Sequence, residues 1–206
     1  MAELIDAVKE ARKNSKKRNF VQTFDLIVNL KDIDLKKPEN RINEIVELPY
    51  GRGKDIQIVV FSDSYKDLGV PVLNSKEIEE ISKDKRSSKK LAKKTEFFLA
   101  EPKLMPIVGK FLGRFLAPRG KMPKIVTGDI KKEIEVLKKS VRIRIKNSPV
   151  VQCPVGTENM KDEEIAENVK AVLKFLEEKL PKGKNNIKNV YLKLTMGKPV
   201  KLEVFK

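Results

Sequence analysis

Polar side chains near the end of the last long alternating segment are the residues best suited to chemistry in this sequence. From Val190 to Pro199 the chain reads V-Y-L-K-L-T-M-G-K-P. Tyr191, Lys193 and Thr195 alternate with apolar residues, so one face of a half-buried strand would carry a phenol, an ammonium and a hydroxyl. Such groups suit contacts with phosphate, ribose and base edges better than covalent catalysis. The apolar residues predicted to face a core are Val190, Leu192, Leu194 and Met196.

A glycine closes this strand. Gly197 is expected to end the strand at a turn and to bring a bare backbone N–H close to a partner. The same pattern is typical of a hairpin strand whose outer face is only hydrated, so the rest of the chain has to decide between the two interpretations.

The charge of the chain favours an anionic partner. Lys+Arg number 45 and Asp+Glu number 29, which gives a formal net charge of +16. A charge of this size favours binding to nucleic acid or to an acidic membrane surface. Since no apolar run approaches the ~20 residues that span a bilayer and the N-terminus lacks a secretory signal, we expect a cytosolic protein.

The residue types exclude several kinds of active site. The chain has no histidine, and Cys153 is its single cysteine. Ser–His and Cys–His catalysis, His-ligated zinc and an internal disulfide are therefore excluded. We expect a protein without metal or cofactor.

The N-terminal segment predicts a basic helix and a strand. Residues 2–18 carry apolar residues at helical spacing, with cations in the second half of the helix. That half is either a hydrated helix end, stabilised by the helix dipole, or a nucleic-acid contact. Phe20 opens a strand that ends at Leu30, and it either packs in the core or stacks on a base. The cations are Lys9, Arg12, Lys13, Lys16, Lys17 and Arg18, and the core-facing strand residues are Phe24, Leu26, Val28 and Leu30.

The C-terminal third of the chain shows the same combination of alternating strands and an amphipathic helix. From Val141 the period of two returns, with Arg142, Arg144 and Lys146 on the outer face of a predicted strand. Like charges on one strand face repel each other unless an anion covers them or they extend into water. A helix from about residue 160 to 180, with acidic residues at its start, then leads to the strand described first.

The middle of the chain has a different pattern. After a short strand at Ile42–Leu48, the segment P-Y-G-R-G-K at 49–54 interrupts the alternation. A nearly continuous apolar run at Ile56–Phe61 predicts a strand buried on both faces. Predicted helices and strands then alternate, as in a parallel α/β sheet, and the helix from Leu104 to Leu116 is predicted to be interrupted by Pro106.

These patterns predict two domains. Residues 1–50 and 141–206 are expected to form one discontinuous α+β domain, and residues 51–140 an inserted α/β domain. The chain crosses twice between them, which predicts a double hinge at Tyr50, Gly51 and Ser140 that permits domain motion.

Two basic stretches of the insert invite functional interpretations. The run from Ser82 to Lys94 is either a hydrated helix face or a second electrostatic contact. The segment Gly113–Pro123 resembles a phosphate-binding loop, but six residues rather than four separate Gly113 from Gly120, and Met122 replaces the Mg²⁺-binding hydroxyl. No nucleotide site is predicted there. Its cations, which would touch RNA or a neighbouring domain, are Arg114, Arg119 and Lys121.

Several motifs in one order resemble a known family. They are F-V-Q-T-F-D near residue 20, E-L-P-Y-G-R-G-K at 47–54, L-G-R-F-L-A-P-R-G-K-M-P at 112–123, C-P-V-G-T at 153–157 and V-Y-L-K-L-T-M-G at 190–197. Together they resemble the universal ribosomal-protein family of the mobile large-subunit stalk beside the tRNA exit site, counted first in the large subunit. The likeness covers nearly the whole chain, and the form without an N-terminal extension resembles the archaeal members.

The resemblance implies a fold and a set of partners. It implies a discontinuous α+β sandwich that binds large-subunit ribosomal RNA, and an inserted Rossmann-like domain without nucleotide. It further implies a role in tRNA release at the exit site, repression of translation by binding the protein's own mRNA, and a monomer when free. The RNA-contacting residues that it implies are Phe20, Thr23, Thr195, Met196 and Gly197, with Arg18, Tyr191 and Lys193 as additions. Arg142 and Arg144 are added to this set because the like charges on their strand face would be stabilised by an anionic partner.

Two other classes of protein remain as alternatives. An RNA-modifying enzyme built on the α/β domain would need a glycine-rich loop between a strand and a helix and an acid–base pair, and neither stands out. A protein of acidic membrane surfaces would need an exposed amphipathic helix.

Overall fold

The computed structural model describes residues 2–37, 40–65, 68–145 and 147–203. The chain divides into two compact units, one of residues 1–54 and 139–206 and the other of residues 55–138. We call them the terminal unit and the inserted unit. The predicted insert, 51–140, is slightly longer than the inserted unit at both ends, and Tyr50, Gly51 and Ser140 fall within the terminal unit. Lys146, predicted on a strand face, lies outside the described residues.

The helices and strands account for the predicted combination of α+β and α/β folds, which is confirmed. The helices are α1 (Ala2–Lys13), α2 (Ser75–Lys83), α3 (Lys85–Lys94), α4 (Met105–Leu116), α5 (Ile130–Lys138) and α6 (Asp162–Lys179). The strands are β1 (Thr23–Leu30), β2 (Asn43–Glu47), β3 (Ile58–Phe61), β4 (Val72–Leu73), β5 (Phe97–Ala100), β6 (Lys124–Ile125), β7 (Ser140–Arg144), β8 (Val150–Thr157), β9 (Ile187–Leu194) and β10 (Val200–Leu202).

The terminal unit is built on an antiparallel four-stranded sheet of order β10-β9-β1-β8, beside a two-stranded sheet of β2 and β7. Along β1, every second residue is buried, as the period of two predicts. The helices α1 and α6 contact this sheet and each other, and their apolar residues belong to the same core. Burying one face of the sheet leaves its other face, with Asp25, Tyr191 and Lys193, half-exposed.

The inserted unit contains a parallel sheet of order β4-β3-β5-β6. All four residues of β3 are buried, as expected for a strand covered on both faces. Phe61 and Phe98 stack at the centre, with ring centroids 5.6 Å apart. This unit therefore has its own core.

Helix α4 corrects one prediction. It was expected to be interrupted at Pro106, yet it begins at Met105 and runs unbroken to Leu116. Pro106 lies in the first turn, where a missing N–H removes no intrahelical hydrogen bond.

Two predicted ends near the candidate site were also wrong. Helix α1 ends at Lys13 and β1 begins at Thr23, so Phe20 lies in an irregular link and is exposed. Strand β9 ends at Leu194, and Met196, predicted to face the core, is 57% exposed in the following turn. The alternation therefore stops two residues before Met196, and its side chain extends into solvent.

Candidate nucleic-acid interface

Gln22 lies at the centre of the candidate site. Its side chain is only 1% exposed, although the residue precedes the first strand. Nε2 donates to Ser15 Oγ at 3.1 Å and to the Lys16 carbonyl at 3.3 Å, while Oε1 accepts the Met196 N–H at 3.2 Å. One amide thus joins the end of the α1 segment, the start of β1 and the turn after β9. Gln22 was not among the residues predicted from the sequence, because its burial and its partners show only in the folded chain.

Two threonines continue the β1–β9 pairing beyond the strand end. The Thr23 N–H donates to Thr195 Oγ1, and Thr195 Oγ1 donates to the Thr23 carbonyl, both at 3.2 Å. The Thr195 N–H also donates to the Thr23 carbonyl at 3.0 Å. The Thr195 hydroxyl thus donates its hydrogen bond within the protein, and its oxygen can still accept one more hydrogen bond. We call Ser15, Gln22, Thr23, Thr195 and Met196 the Gln22 cluster.

Gly197 has a different role from the one predicted. Its N–H donates to the Leu194 carbonyl at 2.8 Å, so the prediction of a bare N–H facing a partner was wrong for this structure. A Cβ added at Gly197 would lie 3.2 Å from Ser15 Cβ and 3.4 Å from Leu194 Cβ. Glycine is therefore suited to this position because the turn packs closely against the α1 segment.

Exposed apolar side chains belong to the Gln22 cluster or adjoin it in sequence. Phe20, Val21 and Met196 are each more than half exposed, at 52%, 51% and 57%. The neighbouring residues of the same segments are exposed cations, namely Lys16, Lys17, Arg18 and Lys198. Apolar tips among cations suit a nucleic acid, because bases stack on apolar side chains and phosphates pair with cations.

Arg12 belongs to the predicted basic run but acts inside the protein. Its Nε lies 2.7 Å from Asp162 Oδ1, and its NH2 group donates to the Met160 carbonyl at 2.6 Å. Its guanidinium also lies 5.2 Å from the centre of the Phe24 ring. The Glu158 N–H in turn donates to the Gln22 carbonyl at 3.0 Å. Arg12 therefore fixes α1 to the start of α6, next to the Glu158 segment that bonds the Gln22 backbone.

Tyr191 and Lys193 lie on the half-exposed face of the same sheet. Lys193 pairs across the strands with Asp25, in a shallow cavity that Cys153 also lines. Burial raises the pKa of Asp25, and the Lys193 ammonium lowers it in part. Burial raises the pKa of Cys153 to about 12, so the thiol is protonated and unreactive at neutral pH.

Arg142 and Arg144 lie elsewhere in the terminal unit. They are on β7, opposite Ile45 and Asn43 of β2, and not in the sheet that carries the Gln22 cluster. Both are half-buried. The structure does not bring them together with Thr23 and Thr195, and their RNA-binding role stays a prediction.

A second buried amide, Asn168, holds the P-Y-G-R-G-K segment. Asn168 is fully buried, accepts the Tyr50 N–H at 3.1 Å and donates to the Gly51 carbonyl at 2.8 Å. Ser140 is also fully buried and pairs with Glu47. The predicted hinge residues are thus hydrogen-bonded within the terminal unit, whereas the chain passes between the units at 54–55 and 138–139.

Carboxylates occupy the ends of the central strands in the inserted unit. Glu101 accepts from Ser62 Oγ at 2.6 Å, and Asp63 accepts from the backbone and hydroxyl of Ser75, which lowers its pKa. Doubly wound sheets bind phosphates at this edge. Two carboxylates at this edge would repel a phosphate.

Lys121, from the segment first compared with a phosphate loop, is also used internally. Its Nζ donates to the carbonyls of Ala92 at 3.2 Å and Thr95 at 2.6 Å, at the C-terminal end of α3. A cation at this end satisfies carbonyls that the helix leaves unpaired. Among the described residues, no cluster of His, Cys, Asp and Glu is placed to hold a metal ion, and no helix is long and apolar enough to cross a membrane.

Comparison with known proteins agrees with the motifs. Residues 11–198 match the model of the ribosomal protein L1p/L10e family. The chain is similar to the large ribosomal subunit protein uL1 of Pyrococcus horikoshii, at 51% identity over 97% of this chain and 95% of that protein. Proteins of the same name from Methanobrevibacter smithii and Methanocaldococcus jannaschii are each 47% identical to this chain. The two matches cover 97% of this chain, and they cover 98% and 94% of those proteins, respectively. A family match over both units, with archaeal relatives about half identical along nearly the whole chain, shows that the protein belongs to the ribosomal protein L1p/L10e family.

Proposed function

We propose that this protein is a structural, non-enzymatic component of the large ribosomal subunit that binds ribosomal RNA through the surface around the Gln22 cluster. The observation that carries the proposal is that Phe20, Val21 and Met196 are exposed next to Gln22, whose buried side chain bonds the Met196 N–H. Its archaeal relatives are named as large ribosomal subunit proteins. A cytoplasmic, ribosome-bound location follows from this function.

The arrangement divides the work of binding between three kinds of group. Cations on the link before Phe20 attract phosphates without regard to sequence. Phe20, Val21 and Met196 provide apolar surface for unstacked bases. The N–H groups of Thr195, Met196 and Gly197 are bonded internally, so the turn offers acceptors such as Thr195 Oγ1. Acceptors match the donating 2′-hydroxyl of ribose or a base amino group.

The finer details of the function rest on the resemblance. The RNA bound is that of the mobile stalk, the protein takes part in release of exit-site tRNA, and it represses translation by binding its own mRNA. The free protein is a monomer. Tyr191 and Lys193 extend the RNA surface along β9, and Arg142 and Arg144 contribute a separate contact.

The inserted unit has a supporting role in this proposal. Helix α3 contains no acidic residue, and its cations are all exposed: Lys85, Arg86, Lys89, Lys90, Lys93 and Lys94. They provide the second, sequence-independent contact. The connections next to Tyr50, Gly51 and Ser140 act as a hinge between the two RNA-contacting units.

A binding titration tests the main proposal. The full chain is titrated at several salt concentrations with a large-subunit stalk RNA fragment and with an unrelated hairpin of equal length. We expect tighter binding to the stalk RNA that persists as salt rises, and a double variant, Phe20→Ala with Met196→Ala, that loses this preference. Equal binding of both RNAs, with the same salt dependence, would show that the basic charge alone acts.

A further inference from the structure

The hydrogen bonds of Gln22 assign it a role distinct from RNA contact. We propose that Gln22 is a positioning residue, which holds the turn Thr195–Gly197 and the link before β1 in the geometry that RNA binds. This inference rests on the function proposed above. Because its side chain is 1% exposed, Gln22 acts through its neighbours and not on the RNA itself.

Met196 is the point at which the turn depends on Gln22. The N–H groups of Thr195 and Gly197 donate to backbone carbonyls, those of Thr23 and Leu194. The Met196 N–H instead donates to a side-chain atom, Gln22 Oε1, at 3.2 Å. Without this acceptor the Met196 N–H loses its protein partner, so the hydrogen bond that holds this residue of the turn to the start of β1 is lost.

The other end of the same amide fixes the basic link. Gln22 Nε2 donates to Ser15 Oγ and to the Lys16 carbonyl, at the point where α1 has ended. The exposed cations and Phe20 follow directly. One side chain thus sets the spacing between the phosphate-binding cations, the apolar tips and the turn. A site whose parts are held in advance binds with less loss of conformational entropy.

Asn168 provides a matched comparison. It is also a fully buried amide of the terminal unit, and it bonds the Tyr50 N–H and the carbonyls of Gly51 and Val155. None of its partners belongs to the proposed RNA surface. A general loss of stability should therefore be similar for Gln22→Leu and Asn168→Leu, whereas a loss of RNA selectivity should be confined to Gln22→Leu.

The experiment uses the full chain, the stalk RNA fragment and the unrelated hairpin. Dissociation rates are measured for each RNA, urea unfolding reports stability, and hydrogen exchange follows the Met196 amide. For Gln22→Leu we expect dissociation from the stalk RNA to be faster by about 10-fold or more, with loss of exchange protection at Met196. Gln22→Glu retains an acceptor for the Met196 N–H but loses the donors to Ser15 Oγ and the Lys16 carbonyl, so it should restore exchange protection at Met196 more fully than slow dissociation of the RNA. Gln22→Met, which conserves volume, replaces the leucine variant if that variant does not fold.

The outcomes separate the two proposals. If the native protein does not distinguish the two RNAs, the proposed function fails. If the native protein distinguishes them and Gln22→Leu does so equally well, only the positioning role of Gln22 fails. An equal loss of selectivity in Asn168→Leu would also overturn it, because general loosening would then explain the effect.

Discussion

Thr23 and Thr195 form a reciprocal pair, in which the Thr23 N–H donates to Thr195 Oγ1 and that hydroxyl donates back to the Thr23 carbonyl, each at 3.2 Å. The two residues are 172 positions apart in sequence. The pair extends the hydrogen bonding between β1 and β9 by one residue beyond Leu194, up to the turn that contains Met196. A methyl group in place of the hydroxyl removes both bonds.

Thr195→Val is therefore expected to weaken selective RNA binding by about 10-fold or more, because the Thr23 N–H loses its acceptor and the RNA loses the hydroxyl. The titration with stalk RNA measures this. Thr195→Ser, which keeps the hydroxyl, should bind nearly as the native protein does. An unchanged affinity for the valine variant would remove Thr195 from the site.

The glycines of the P-Y-G-R-G-K segment allow a paired test of stability. Both have positive φ, +63° at Gly51 and +65° at Gly53, so alanine at either costs roughly 1–2 kcal/mol. At Gly53 the added Cβ would also lie 2.6 Å from Thr157 Oγ1 and 2.7 Å from Met160 Sδ, whereas at Gly51 the nearest atom is 3.6 Å away. Gly53→Ala should lower the free energy of unfolding well beyond Gly51→Ala. Equal losses in urea unfolding would show that the neighbours of Gly53 shift without cost.

Asp25 predicts a pH-dependent effect. Burial raises its pKa in the folded state, so folding disfavours the ionised carboxylate. Asp25→Asn should thus stabilise the protein at neutral pH, and the gain should shrink as pH falls through the raised pKa and vanish below the unfolded value of about 3.9. Urea unfolding from pH 3 to 7 checks the sign. A gain that grows toward low pH would indicate that the attraction of the Lys193 ammonium outweighs burial.

The exposed lysines of α3 predict a change in salt dependence. Replacing Lys89 and Lys93 with glutamine should reduce the slope of log affinity against log salt by about 1.4–1.8, if each contacts one phosphate. The matched control replaces Lys131 and Lys132, which are exposed on α5 of the same unit. This control removes the same amount of charge. If both pairs give the native slope, α3 is a hydrated helix face.

Sequence periodicity predicted β1, β7 and β9 of the terminal unit because one face of each is buried, whereas β8 and β10 were not predicted as strands. β1 buries Phe24, Leu26, Val28 and Leu30 as predicted, and α6 buries its apolar stripe. The short strands β4 and β6 have two residues each, too few to show any period, and they were missed.

The candidate site was only partly visible in the sequence. Residue types and the family motifs pointed to Phe20, Thr23, Thr195, Met196 and Gly197, and the structure places each of them in the Gln22 cluster or next to it in sequence. The sequence did not show that the backbone donors of the turn are bonded internally. The Met196 donor depends on Gln22, 174 positions earlier in the chain, and a single polar residue beside a strand carries no periodic signal.

The position of β1 in its sheet orders events during synthesis. β1 lies between β8 and β9, whose residues follow it by more than a hundred positions. A nascent chain therefore exposes both edges of β1 until its last strands emerge, while the inserted unit, made of contiguous residues 55–138, can fold in the meantime. The half of the molecule that carries the Gln22 cluster is completed last, so an unfinished chain lacks the surface proposed to recognise RNA.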